Sequence, residues 1–247
     1  VYRLSQEHMT VGVPIATIGT RLVQNGMTYY NDGFTSTTLS SESAYAVYAD
    51  FIRMYREYEQ PYAYNAANRF KTGEMPLVVD NLSLYSTITV LAPELDGQWD
   101  ICPIPGVRRD DGTVDRSSDA TGTAAVLLRD RGDPEAGFVF LDWWTGDEAQ
   151  ERFGTALEDR LGRSGRYLTA NRMAAAQLPW SAAELAAVER QRESTRDIPE
   201  IPGSYIVSRN LTNIFYAVIG GANVRRSLLR YSRIIDAELQ SKSVEMA

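Results

Sequence analysis

The chain has 247 residues, 44% of them hydrophobic and 23% charged, enough for one large or two modest domains with a real core. Its 32 acidic residues against 25 basic ones give a net charge of −7, which argues against a nucleic-acid partner held by a basic face. One cysteine, Cys102, excludes an intrachain disulfide, and one histidine, His8, excludes a histidine-rich zinc site.

In chain order, residues 14–32 carry an apolar run and then two turn signals, Asn25-Gly26 and Asp32-Gly33. Ser40 or Ser41 can cap a helix that runs to about Tyr58, with Tyr48, Phe51, Ile52 and Tyr55 on one face. The spacing predicts a short helix over 65–72, stopped by Gly73, and a short buried strand over 76–79. Asp80 and Asn81 can cap the next helix, whose buried side is expected to carry Leu84, Ile88 and Leu91. Residues 99–104, with Cys102 inside, read as a strand closed by Pro105-Gly106, and 107–118 as a polar loop. Residues 121–128 are apolar and lean towards a strand.

Asp133 then caps a helix with Pro134 in its first turn and Phe138, Leu141 and Trp144 at helical spacing. Gly146 separates it from a helix carrying Ala149, Phe153 and Leu157. Ser181 and Glu184 form a capping box for a helix to about Arg196. Two further helices cover 207–219 and 224–239, the last with Val224, Leu228, Tyr231, Ile235 and Leu239 in one stripe. Arg225, Arg226, Arg230 and Arg233 read as its solvated face rather than an anion site. Helices alternating with short strands indicate an α/β architecture. No apolar run approaches the ~20 residues that span a bilayer. The start, VYRLSQEH, shows no signal-peptide pattern and reads as an interior cut of a longer chain.

Five motifs in order carry a resemblance. They are Phe70 to Gly73 before 77–81; the strand with Trp99, Asp100, Pro103, Pro105 and Gly106; and the small-residue segment 117–121. The helix pair around Trp143 to Gln150 follows, then Ile198, Pro199, Ile201 and Pro202 ahead of Ile214 to Val218. Together they resemble the extracellular solute-binding proteins of carbohydrate ABC transporters, of the maltose-binding type. The resemblance implies an α/β fold of the periplasmic-binding-protein-like type II class, here the C-terminal lobe with part of the first lobe. It implies that 1–118 is the first part of lobe two, 119–178 a segment of lobe one, and 179–247 the second part of lobe two. It further implies capture of a sugar or oligosaccharide between two lobes by hinge closure and delivery to membrane permease subunits. No enzymatic activity, cofactor or metal is implied. The expected state is a monomer, either lipid-anchored outside a Gram-positive cell or periplasmic.

A sugar presents hydroxyl edges and weakly apolar ring faces, so its receptor needs aromatic planes together with carboxylates, amides and hydroxyls. Asp80 and Asn81, at a strand end and a helix start, either contact ligand or merely cap the helix. Ser83 and Tyr85 occupy the place where relatives carry a stacking tryptophan. Phe215 and Tyr216 fall where maltose-type relatives show another; Phe215 is expected to face the cleft, with core packing for its neighbour. Tyr205, Asp119 and Thr17 complete the ligand-binding set. Trp143 and Trp144 are expected in packing rather than as sugar platforms. Two other functions compete: a protein-interaction or sensor-docking module without ligand, and a glycan-active enzyme with two carboxylates about 5–10 Å apart. No nucleophile elbow, P-loop or dinucleotide-binding glycine set supports the enzyme.

Overall fold

In the computed structural model, which describes residues 10–119, 122–128 and 132–245, local cap chemistry sets most helix starts. Strand β1 (Val11–Gly12) leads into helix α1 (Thr17–Gln24), which lacks a side-chain cap. Helix α2 (Glu42–Arg56) starts at Ser41, whose hydroxyl accepts the Ala44 amide at 3.2 Å. Helix α3 (Ala66–Lys71) is capped by Asn65, and Gly73 follows at φ +78°, a conformation that favours glycine. Strand β2 (Leu77–Val78) precedes helix α4 (Ser83–Leu91). Strands β3 (Val107–Arg108), β4 (Val114–Asp115) and β5 (Ser118–Asp119) follow.

Helix α5 (Pro134–Thr145) has the Asp133 carboxylate accepting the Glu135 and Ala136 amides at 2.9 and 3.3 Å. Gly146 separates it from α6 (Asp147–Leu161), and α7 (Arg172–Ala175) is a single turn. Helix α8 (Ala182–Glu193) opens with the reciprocal bonds of the Ser181/Glu184 box, at 3.2 and 3.0 Å. Strand β6 (Thr195–Arg196) and helices α9 (Val207–Ile219) and α10 (Val224–Glu245) complete the chain. Strands β1 and β2 pair in parallel, as do β5 and β6, while β3 and β4 form an antiparallel hairpin. Among the described residues no helix is long and apolar enough to cross a membrane.

The chain divides into two units. The first comprises Val1–Asp80, Pro103–Ala120 and Arg190–Ala247. Its core is helical: Leu22 of α1, Tyr48 and Phe51 of α2, Ile214, Phe215 and Val218 of α9, and Leu228, Ile235 and Leu239 of α10 are all sealed from solvent. Each such side chain contributes roughly 1.5–3 kcal/mol by leaving water. The polar handles inside find partners: Tyr48 donates to the Leu211 carbonyl at 3.2 Å and Tyr55 to that of Val13 at 2.8 Å. On α10, Arg225 pairs with Glu42 and covers the Tyr45 ring at 4.4 Å.

The second unit comprises Asn81–Cys102 and Thr121–Glu189. Residues 81–102, which the sequence resemblance groups with 1–118, cluster here with 121–189. Gln150 ties this unit internally. It donates to the Trp144 carbonyl at 2.7 Å and accepts from Tyr167 and Thr169 at 3.0 and 2.6 Å.

Several expectations change. Residues 99–104 form no strand: Pro103 has no N–H, Ile101 bonds the Asp100 carboxylate, and the Ile104 amide is taken by Gln191 Oε1 at 3.0 Å. Cys102 is therefore exposed. The polar loop holds the β3–β4 hairpin, turned at Gly112 with φ +85°. Residues 122–128 form no strand, and Thr121 lies outside the described residues, as does His8. Helix α4 buries Tyr85 and Ile88, with Ala92 just past its end, while Leu91 is exposed. Leu77 of β2 is exposed too. Trp143 stands 59% exposed beside exposed Phe138, Val139 and Phe140, while Trp144 packs edge-on against Phe153 at 5.1 Å.

Candidate functional site

In the first unit, β1 and β2 run side by side, with Val11 opposite Leu77 and Gly12 opposite Val78. The Val79 amide extends the ladder to the Gly12 carbonyl at 2.8 Å. A Cβ at Gly12 would lie 2.6 Å from Met75 sulfur, so glycine permits this close approach. Both strands end on the same side, which is where open α/β sheets present ligand-binding groups.

Thr17 and Asp80 follow those strand ends. Thr17 starts α1 and donates its hydroxyl to the Pro14 carbonyl at 2.7 Å. Asp80 is exposed, and its charge reaches Tyr64, whose phenol is pushed up to about 12 by burial first and by Asp80 second. The Tyr64 hydroxyl oxygen is buried and makes no hydrogen bond. An unsatisfied hydroxyl of that kind costs about 1–3 kcal/mol. Tyr64 also acts electrostatically on Tyr55, whose hydroxyl is anchored on Val13.

Tyr55 connects this polar corner to an aromatic wall. Its ring meets Phe215 edge-on at 4.8 Å, and Phe215 in turn meets Tyr62 at 6.0 Å and Tyr216 at 5.6 Å. Phe215 is fully buried, whereas Tyr62 and Tyr216 are 47% and 50% exposed. Phe215 therefore backs the wall rather than facing a ligand; its position on the buried stripe of α9 decides this. Tyr216, one residue on, shows its ring to solvent.

The remaining expected residues are dispersed. Asp119, at the end of β5, is exposed and accepts the Thr20 hydroxyl at 2.9 Å. Burial, and next the Asp119 charge, hold the Tyr29 phenol far above its ordinary value. Tyr205 is 64% exposed, and its hydroxyl donates to Glu238 of α10. In the second unit, Asn81 accepts the Ser83 amide at 3.1 Å and the Ser83 hydroxyl, which fits the helix-start role. Tyr85 is only 4% exposed, so the stacking position expected for it is corrected to an interior one. Its hydroxyl is drawn inward by Glu184, Arg163 and Arg166.

Sequence reasoning missed Tyr62, Tyr64 and the outward ring of Tyr216. The available signal was the Tyr-Ala-Tyr run between Pro61 and the Asn65 cap of α3, a stretch outside any helix. Exposed aromatic faces beside a carboxylate suit a neutral polyhydroxyl ligand. Among the described residues no group of three His, Cys, Asp or Glu side chains is placed to hold a metal.

No family model and no curated protein sequence matches the chain. Solved structures do. The sugar-binding protein MalE from Xanthomonas citri is similar with a TM-score of 0.74 and 15% identity, covering 96% of this chain and 60% of its own. An ABC transporter solute-binding protein from Thermotoga lettingae, solved with α-D-tagatose, has a TM-score of 0.70 and 13% identity, covering 95% and 61%. An ABC substrate-binding protein from Listeria monocytogenes, in complex with cycloalternan, has a TM-score of 0.66 and 15% identity, covering 94% and 59%. The chain thus spans about three fifths of the length of the structures it matches. Its mixed helices and short parallel strands, superposable over nearly their whole extent, have the periplasmic-binding-protein-like α/β fold of ABC-transporter solute-binding proteins.

Proposed function

We propose that this chain is the sugar-binding part of an ABC-importer solute-binding protein and not an enzyme. The observation that carries the reading is the fold likeness over 96% of the chain to a protein described as sugar-binding, joined by relatives solved with tagatose and cycloalternan. In the first unit, Tyr62 and Tyr216 supply ring faces, while Asp80 supplies edge contacts. Thr17, Asn81, Ser83, Asp119 and Tyr205 remain in the proposed ligand set. The first unit belongs to one lobe of the whole protein and the second unit to the other. Hinge closure of the lobes captures the sugar, and the permease reads the closed state. Such a protein works as a monomer outside the cytoplasmic membrane, in the periplasm or on a lipid anchor.

Calorimetric titration with D-tagatose, cycloalternan and linear glucose oligomers tests it. Saturable heat for one sugar, weakened about tenfold or more by Tyr216→Ala or Asp80→Ala, is the expected result. Flat titrations across that panel overturn the sugar reading. Small-angle scattering without ligand-dependent compaction overturns hinge closure. A second reading, a protein-docking module, is favoured by one observation: Phe138, Val139, Phe140 and Trp143 of α5 are each more than half exposed, an apolar patch of the kind partners cover.

A further inference from the structure

The first unit holds a cavity of about 250 Å³ between the turn that follows α1 and the segment that follows β6. It shares no lining residue with the wall of Tyr62 and Tyr216 or with the strand ends at Thr17 and Asp80. Tyr29, Tyr30, Asp32 and Phe34 line one side, and Arg196 and Asp197 the other. Tyr30 is buried at 5% exposure, and Phe34 stands over it edge-on, with ring centroids 6.3 Å apart and 46% of Phe34 exposed.

Phe34 is held at φ +55°, a left-handed conformation that a side chain bearing a Cβ rarely adopts. The loop around it is firmly bonded. The Phe34 amide donates to the Asn31 carbonyl at 2.9 Å, and Asn31 Oδ1 accepts the Thr35 and Ser36 amides at 2.9 and 3.1 Å. Glycine would take this position without strain, yet the chain places a large ring there with nearly half its surface in water. Backbone strain held in place by its surroundings, at the rim of a cavity, points to a function for that ring.

The lining narrows the ligand class. The carboxylates of Asp32 and Asp197 disfavour an anion, and the guanidinium of Arg196, paired with Asp115, offers N–H donors at the rim. Arg196 donates to Ser117 Oγ at 2.8 Å and to Asp115 at 3.2 Å, contacts that orient its guanidinium. A neutral ring with hydroxyls on its edge and C–H groups on its face meets all of these groups at once. The volume admits a single ring rather than a long glycan. We propose that this cavity is a second, independent carbohydrate subsite that takes one neutral pyranose unit, with Phe34 as its stacking platform.

Amide shifts of the isotope-labelled 247-residue chain, titrated with methyl α-D-glucopyranoside, provide the test. Saturable shifts at the amides of residues 29–34 and 196–198 are expected, unchanged by Asp80→Ala. Because this readout is residue by residue, failure of the sugar site at the strand ends leaves the result interpretable. Phe34→Gly separates function from structure: it relieves the left-handed strain, so thermal stability is expected to hold or rise while the glycoside response weakens about tenfold or more. Phe34→Tyr keeps the ring and is expected to retain the response. Three results overturn the proposal: no saturable shift at these amides, an equal response in Phe34→Gly, or a stronger response there to choline than to the glycoside.

Discussion

The Tyr85 hydroxyl donates to Glu184 Oε1 at 2.7 Å, tying α4 to the first turn of α8 inside the second unit. The same oxygen accepts from Arg166 at 2.6 Å and from Arg163 at 3.0 Å, and the ring packs against Trp99 and Trp180 at 5.2 and 5.3 Å. One phenol thus satisfies a buried carboxylate and two guanidinium groups. Tyr85→Phe keeps the ring but leaves those charged groups short of a partner, and it is expected to cost about 2–3 kcal/mol. Urea unfolding checks this, with a lower midpoint and an unchanged slope as the expected outcome.

Acid should unfold the protein in a defined window. Burial alone would raise the Glu184 carboxyl, but hydrogen bonds from Ser181 and Tyr85 and the charge of Arg166 outweigh it and pull the group from 4.5 down to about 2. Asp115 behaves alike: burial opposes ionisation, while Ser117, Arg109 and Arg196 take it from 3.8 to about 2. A folded pKa below the unfolded one gives stability that is complete above the unfolded value and lost as pH falls through the folded one. Melting temperatures are therefore expected to be level above about pH 5 and to drop towards pH 2. Glu184→Gln and Asp115→Asn should each flatten that drop while lowering stability at neutral pH.

Gly19 on α1 leaves room for the Tyr29 hydroxyl, since a Cβ there would sit 2.3 Å from that oxygen. Gly19→Ala should gain about 1 kcal/mol of helix propensity but lose roughly 1–3 to overpacking, so the net change is destabilising. Adding Tyr29→Phe removes the clashing atom and leaves the ring carbon at 3.6 Å, an ordinary contact. The double variant is expected to be more stable than Gly19→Ala alone, a coupling that a thermodynamic cycle reads directly.

Phe215 and Tyr216 are neighbours with opposite fates. Phe215→Ala opens a hole among Phe51, Tyr55 and Tyr62 and should cost about 3–5 kcal/mol by denaturant unfolding. Tyr216→Ala, at a half-exposed position, should change stability by less than about 1 kcal/mol. Under the proposed function it is the change that weakens sugar binding.

Much of the local architecture was legible because its chemistry is local. Ser41, Asp133 and the Ser181/Glu184 box each satisfy helix-end amides two or three residues away, and all three act where the residue pattern puts them. The stripe of Leu228, Ile235 and Leu239 likewise follows from helical period alone. The candidate site was less legible. Asp80 could be placed at a strand end, but which ring of Phe215 and Tyr216 faces solvent depends on where α2 lies against α9.

The sequence by itself determined the capped helix starts and the acidic character, since caps and charge act over a few residues. Tertiary structure decided the rest. Strand β5 pairs with β6 across more than seventy residues of chain, and 81–102 groups with 121–189. Tyr85 turned inward because its charged partners come from residues 163, 166 and 184. Residues 99–104 stayed irregular because the Ile104 amide met a glutamine side chain from position 191 before any strand. In each case a distant polar partner, invisible to local pattern, chose between burial and exposure.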